Sequence, residues 1–92
     1  MTENQENSSL PIRLSPAELL QKANTLPLCP GVYLMKDRAG KVIYVGKSRK
    51  LKNRVSQYFQ NGEKAAKTAR MVSLVADFDY FICDTEIEAL SL

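Results

Sequence analysis

Residues 31–46 read GVYLMKDRAGKVIYVG, two apolar stretches rich in β-branched and aromatic residues on either side of the polar segment DRAG. This pattern predicts an antiparallel β-hairpin with a four-residue loop. If Lys36 and Lys41 form the pair that closes the loop, counting along both strands places Tyr33 directly opposite Tyr44. The sequence therefore predicts that two phenol side chains lie on one face of the hairpin.

The segment before the hairpin carries a helix signal. Residues 15–18, SPAE, combine a serine cap, a proline at the first helical position and a glutamate three residues after the serine. They predict a short helix that ends before Pro27. Residues 1–14 lack an apolar period, so we expect a disordered N-terminal segment there, and we assign residues 15–92 to a single domain.

The segment after the hairpin is predicted to be helical as well. Ser48 is suited to cap a helix that runs to about Phe59. On a helical wheel, Lys47, Arg54 and Tyr58 fall along one border of the apolar stripe of this helix. The stripe consists of Leu51, Val55 and Phe59.

The rest of the chain predicts another helix, a strand and a final helix. After an Asn-Gly break, a helical pattern turns Ala65, Ala69, Val72 and either Val75 or Ala76 inward. Residues 77–84 alternate as a strand does, and residues 85–88, TEIE, form a second capping box that opens a helix. The predicted order is α-β-β-α-α-β-α, with the last helix cut off where the sequence stops.

Charge and composition narrow the possible functions. Residues 47–70 carry eight cations and one acid, whereas the whole chain has a net charge of +3. Such a segment is typical of a surface that binds a polyanion, and a solvated surface helix is the alternative. The chain has no histidine, which excludes an imidazole base, a Ser-His-Asp triad and a histidine-ligated metal.

The cysteines and the N-terminal residues indicate the cellular compartment. No signal peptide or membrane span is recognisable, so we expect the protein to be cytoplasmic. We therefore expect Cys29 and Cys83 to be free, packed thiols.

The hairpin carries a motif pair of a known family. The segments GVY at residues 31–33 and YVGK at residues 44–47 resemble the GIY-YIG nucleases, and residues 26–92 resemble their UvrC-like branch, which acts in bacterial nucleotide excision repair. LKNRVSQYF at residues 51–59 and DTEIEALSL at residues 84–92 match that branch too. The resemblance implies an α+β fold, with a small three-stranded antiparallel sheet flanked by helices. It also implies that one DNA strand is cut with a single divalent metal ion, Mg²⁺ or Mn²⁺.

The resemblance implies roles for particular residues. Tyr44 or Tyr33 would serve as the base, which needs nearby cations or a metal-bound water because an unperturbed phenol has a pKa of about 10. Arg54 would grip two oxygens of the scissile phosphate, with help from Lys47 and Tyr58. Further basic residues are candidates for non-specific DNA contacts: Arg49, Lys50, Lys52, Lys64, Lys67 and Arg70.

The family's metal ligand is a glutamate that, in the UvrC-like pattern, would follow Leu92. Glu86 and Glu88 lie in the capping box and first turn of the last predicted helix, where acids favour the helix dipole. We therefore expect no metal ligand within these 92 residues. This interpretation predicts an inactive or nearly inactive, monomeric N-terminal fragment of a longer nuclease that binds DNA weakly.

The implied substrate is damaged double-stranded DNA, cut on the 3′ side of a lesion that the partners UvrA and UvrB have marked. A second hypothesis comes from another functional class. In it, the chain is a non-catalytic module that binds nucleic acid or protein and keeps the fold without the metal site.

Overall fold

The computed structural model describes residues 14–83, which form a three-stranded sheet and three helices. In chain order, the elements are α1 (Pro16–Ala23), β1 (Gly31–Lys36), β2 (Val42–Ser48), α2 (Leu51–Phe59), α3 (Ala66–Leu74) and β3 (Asp77–Ile82). The strand order is β2-β1-β3, and both pairings are antiparallel. This arrangement confirms the expected α+β fold class. The helix predicted after residue 84 and the N-terminal residues 1–13 lie outside the described residues.

Helix α1 begins at the predicted capping box. The Ser15 hydroxyl accepts a hydrogen bond from the Glu18 N–H at 3.1 Å, and the Glu18 carboxylate accepts one from the Ser15 N–H at 2.8 Å. Near the end of α1, Lys22 donates to the Asp77 carboxylate at 2.6 Å and to the Phe78 carbonyl at 2.7 Å. These contacts fix α1 against the start of β3, and no sequence pattern indicated them.

The predicted pairing of Tyr33 with Tyr44 was wrong. In the hairpin, Tyr33 lies opposite Gly46 and Tyr44 lies opposite Met35, because Ile43 forms a bulge between two successive pairs. Together with a loop one residue longer than expected, the bulge shifts the register by two residues. Since side chains alternate with a period of two, this shift leaves both tyrosines on the same face of the sheet.

The predicted start of the second helix was also wrong. Ser48 is the last residue of β2, and α2 begins at Leu51 without a side-chain cap. Carbonyl groups of the proline-rich connection before β1 take the place of that cap: the Leu51 N–H donates to the Cys29 carbonyl at 3.0 Å, and the Lys52 N–H donates to the Pro27 carbonyl at 3.1 Å. Backbone hydrogen bonds therefore hold α2 beside the entry to β1.

The hydrophobic core lies between one face of the sheet and helices α1 and α2. Its buried residues are Leu19, Ala23, Leu26, Tyr33, Met35, Leu51, Val55, Val75 and Phe78. The expected inward packing was wrong for Ala65 and Ala69, which are exposed, and correct for Val75 and Ala76, which are buried. No residue of α3 itself is fully buried, and Met71 packs against the core as a partly buried side chain.

The opposite face of the sheet carries a smaller apolar cluster. Cys83 and Val32 are buried there, with Leu34 packed against them. Both cysteines are free thiols, as expected, with Cys83 buried and Cys29 half-buried. Within residues 14–83, no helix combines the length and the apolar character that crossing a membrane requires.

Candidate active site

Three tyrosines from three different elements come together at one edge of the core. The ring centroids of Tyr33 on β1 and Tyr44 on β2 lie 6.2 Å apart, and the ring of Tyr58 on α2 lies 5.7 Å from the first and 6.4 Å from the second. The hydroxyl oxygens of Tyr33 and Tyr58 are 2.8 Å apart and share a hydrogen bond. We refer to these residues as the three-tyrosine cluster.

Gly46 makes room for the cluster. It lies opposite Tyr33 in the hairpin, and a Cβ atom at this position would overlap the far end of the Tyr33 ring. Gly31 has a similar role at the other end of β1, where a Cβ would overlap the Leu51 side chain and the Phe81 carbonyl. Both glycines are thus required by close packing, and the position of Tyr33 depends on the small residue across the hairpin.

The phenols of the cluster differ in their exposure to solvent. Tyr33 is 2% exposed, whereas Tyr44 is 42% exposed and Tyr58 is half-buried. Burial raises the pKa of Tyr33 well above its ordinary value, and the hydrogen bond with Tyr58 raises it further. Burial is also the largest effect on Tyr58 and raises the pKa of that phenol. The Arg54 charge opposes both shifts, but Tyr33 and Tyr58 remain protonated near neutral pH.

A groove borders the cluster between α2 and the start of α3. It has a volume of about 260 Å³. Its lining residues are Arg54, Gln57, Tyr58, Lys64, Ala65 and Thr68. Arg54 and Tyr58 stand four residues apart on α2, so one helix face presents both side chains to this α2–α3 groove. Within the described part of the chain, the lining contains two cations and no carboxylate.

The comparisons with known proteins identify the family. A family model for the UvrC-like GIY-YIG domain matches residues 29–92. The chain belongs to this family. UvrABC system protein C of Caldicellulosiruptor saccharolyticus is 57% identical over 74 residues, which are 80% of this chain and 12% of that protein. The protein of the same name from Desulfitobacterium hafniense is 54% identical over 81 residues, which are 87% of this chain and 13% of that protein.

A solved structure shows the same fold. The GIY-YIG N-terminal endonuclease domain of UvrC from Thermotoga maritima, bound to magnesium as its catalytic divalent cation, superposes with a TM-score of 0.70 and 29% identity over 79% of each chain. Other structures of that domain carry a single tyrosine-to-phenylalanine substitution and also bind the catalytic divalent cation. Fold and sequence thus agree on a UvrC-like GIY-YIG domain, and the chain spans about one eighth of the length of the curated relatives it matches.

Lys47 occupies a different place in this UvrC-like GIY-YIG domain from the one that the helical wheel predicted. It lies in β2 opposite Val32, not on the helix that carries Arg54 and Tyr58. Strand alternation directs its Cβ to the face of the sheet opposite that of Gly46. The wheel was wrong because the helix begins four residues later than Lys47. The catalytic role of Lys47 stays a prediction.

The six candidates for DNA contacts lie on different elements of the chain. Lys64 lines the α2–α3 groove, where its ammonium donates to the Gln60 carbonyl at 2.8 Å. The other five are exposed or half-buried on the turn before α2, on α2 and on α3: Arg49, Lys50, Lys52, Lys67 and Arg70. Sequence reasoning missed Gln57 and Thr68. Gln57 could have been identified from its position three residues after Arg54, since residues at this spacing lie on one face of a helix. Nothing in the sequence indicated Thr68.

The described residues do not fit a metal site. Residues 14–83 contain no group of three or more Asp, Glu, His or Cys side chains that could hold a metal ion. The two carboxylates of β3 are engaged with lysines, Asp77 with Lys22 at 2.6 Å and Asp79 with Lys36 at 2.7 Å. Glu86 and Glu88 fall outside the described residues.

Proposed function

We propose that this chain is the catalytic domain of an excinuclease subunit that cuts one strand of damaged double-stranded DNA on the 3′ side of a lesion. One observation carries the proposal: the three-tyrosine cluster lies beside Arg54, at the edge of a groove whose described lining holds cations and no acid. Family membership and the likeness to the Thermotoga maritima endonuclease domain support it.

Arg54 supplies the positive charge that phosphodiester hydrolysis requires. A guanidinium group stays protonated and donates to two phosphate oxygens at once. Negative charge grows on the phosphoryl oxygens in the transition state, so donors fixed beside them stabilise it more than they stabilise the ground state. Arg54 and Tyr58 both line the groove, and this shared position supports a role for both as donors to one phosphate.

The hydrogen bond between Tyr33 and Tyr58 connects the buried phenol to the groove. The two hydroxyl oxygens are 2.8 Å apart, and either hydroxyl can be the donor. Burial raises the pKa of both phenols, so both keep their protons near neutral pH. We assign the proton of Tyr33 to this hydrogen bond, which leaves the hydroxyl of Tyr58, a lining residue of the groove, to donate to a phosphate oxygen.

The two candidate bases can be ranked by their surroundings. Tyr33 is almost fully buried and its pKa is raised, so it holds its proton and acts as a positioning residue for Tyr58. Tyr44 is 42% exposed at the outer side of the cluster, where an attacking water has access. We therefore assign to Tyr44, in its phenolate form, the removal of the proton from that water, which leaves Tyr44 as the neutral phenol and the water as the attacking hydroxide.

The metal and the partners are proposed from the family. The Thermotoga maritima domain binds magnesium, and we propose that this domain also works with one divalent ion, Mg²⁺ or Mn²⁺. UvrA and UvrB as partners, a monomeric state and a cytoplasmic location stay predictions.

The test is to replace Arg54 by Ala in the protein as its full reading frame encodes it, and to measure incision and DNA affinity together. Loss of a transition-state donor is expected to lower kcat by about 100-fold to 1,000-fold, with a much smaller change in Kd. Replacing Arg38, on the exposed hairpin loop, by Ala is the matched control.

The second hypothesis, a non-catalytic binding module, has one observation in its favour, the absence of a metal ligand set within residues 14–83. It predicts a different result for the same variant. Arg54→Ala would then weaken DNA affinity, and no incision would be detectable in the unsubstituted protein with Mg²⁺ or Mn²⁺ present. That outcome would replace the nuclease proposal.

A further inference from the structure

The α2–α3 groove extends beyond the residues that the proposed mechanism uses. Arg54 and Tyr58 form its side toward the three-tyrosine cluster, and Gln57, Lys64 and Thr68 provide the remaining polar lining. The groove thus offers one lining that includes Arg54 and Tyr58 and a second set of polar groups. The second set has no part in the chemistry proposed above.

The second set is suited to bind an anion. Its ammonium, amide and hydroxyl groups can all donate hydrogen bonds, and only the amide and hydroxyl can also accept them. Within the described lining, no carboxylate competes for these donors. The one acidic residue of the basic segment, Glu63, is exposed and does not line the groove.

Lys64 is held in position by the fold. It is half-buried, and its ammonium donates to the Gln60 carbonyl at 2.8 Å, which ties the side chain across the turn that follows α2. An ammonium group has three N–H donors, so this bond leaves others available for a ligand. A lysine fixed in this way loses less side-chain entropy on binding than a free one on an open surface.

We propose that Lys64, Gln57 and Thr68 form a subsite for the DNA phosphate adjacent to the scissile one, on the strand that is cut. This inference rests on the proposed function, since it takes the phosphate at Arg54 and Tyr58 as its reference point. The subsite fixes the path of the strand through the groove. Lys67 and Arg70, which do not line the groove, add only long-range attraction to DNA.

The test is an NMR titration of the 92-residue chain with the single-stranded trinucleotide d(TpTpT). The side-chain amide of Gln57 and the methyl group of Thr68 report on the subsite, and the ring of Tyr58 reports on the proposed catalytic side. The variants are Lys64→Gln, which removes the charge, and Lys64→Arg, which keeps it. Lys41→Gln is the control, since Lys41 is an exposed lysine beside the hairpin loop and its substitution changes the net charge equally.

The expected result is that the signals of Gln57 and Thr68 shift and that Lys64→Gln weakens binding by about fivefold to tenfold. Lys64→Arg and Lys41→Gln should stay within about twofold of the unsubstituted chain, because the first retains the charge and the second removes one remote from the groove. If Lys64→Gln fails to fold, Gln57→Ala and Thr68→Val carry the same comparison, each with weaker binding expected.

Two other outcomes have separate meanings. If the Tyr58 ring shifts while the Gln57 amide and the Thr68 methyl stay still, or if Lys64→Gln weakens binding no more than Lys41→Gln, the subsite is overturned and the proposed function stands. If the trinucleotide shifts none of these signals, the proposed DNA-binding function fails, and the subsite fails with it.

Discussion

The three-tyrosine cluster and the α2–α3 groove meet at Tyr58 but are built in different ways. The cluster joins three elements and includes a ring that is 2% exposed, that of Tyr33, with its hydroxyl bonded to Tyr58 at 2.8 Å. The groove lies between α2 and the start of α3, a helix without a buried residue. Packing fixes the cluster, whereas charge and exposed polar groups characterise the groove.

This difference separates the region proposed to catalyse the reaction, the cluster, from the region proposed to bind the DNA backbone, the groove. Catalytic groups must stay within a fraction of an ångström of their working geometry, which a packed core provides. Contacts to a DNA backbone are electrostatic and tolerate movement, so an exposed helix is sufficient for them. Substitutions that alter side-chain shape should therefore affect mainly the packing of the cluster. Substitutions of charged residues, or a change in salt concentration, should affect mainly DNA binding at the groove.

The largest effect on stability is expected from Gly46→Ala. The added Cβ overlaps the Tyr33 ring, so the ring must move or the hairpin must open, at a cost of about 1–3 kcal/mol in the free energy of unfolding. Urea denaturation measures this loss. Val45→Ile, which adds one methylene at the neighbouring exposed position, is the control and should be nearly neutral. Equal stability of Gly46→Ala and the unsubstituted chain would show that Tyr33 is not confined as described.

A smaller effect is expected from alkaline pH. Burial raises the pKa of Tyr33 above that of the unfolded chain, so the folded state keeps a proton that the unfolded state releases. This contribution to stability is complete below about pH 10 and is lost above it, by at most about 1.4 kcal/mol per pH unit.

The measurement is urea denaturation between pH 8 and pH 11. The fall in stability above about pH 10 should be shallower in Tyr33→Phe than in the unsubstituted chain. Tyr80→Phe, which alters a more exposed tyrosine of the same sheet, should leave the decrease in stability with pH unchanged. Identical pH slopes in all three proteins would contradict the burial of the Tyr33 hydroxyl.

The elements were predictable from local patterns, but their register was not. The capping box at Ser15 and the apolar, β-branched stretch of β1 each depend on a few neighbouring residues, and both predictions are confirmed. The bulge at Ile43 depends on the pairing of the two hairpin strands, and the late start of α2 depends on contacts with a distant segment. Helix α2 is held by carbonyls of residues more than twenty positions earlier, which no local pattern records.

The same distinction applies to the site. Tyr33 and Tyr44 were expected to share a face, and they do, because an error of two residues preserves the side of a strand. The helical spacing of Arg54 and Tyr58 also appears in the structure. The placement of Lys47 was wrong, since one residue can be assigned to a strand or to a helix by a small shift of the boundary. Thr68 enters the groove only through the packing of α3.

The most direct test compares Tyr44→Phe with Lys64→Gln in the incision reaction of the protein as its full reading frame encodes it. The proposed roles predict that Tyr44→Phe lowers kcat by about 100-fold or more, as the loss of a general base does. Lys64→Gln should instead raise the KM for DNA, by about fivefold to tenfold, since it removes a contact to the bound strand. If Tyr44→Phe changes only KM, or if both variants lower kcat equally, the division between a catalytic cluster and a binding groove is wrong.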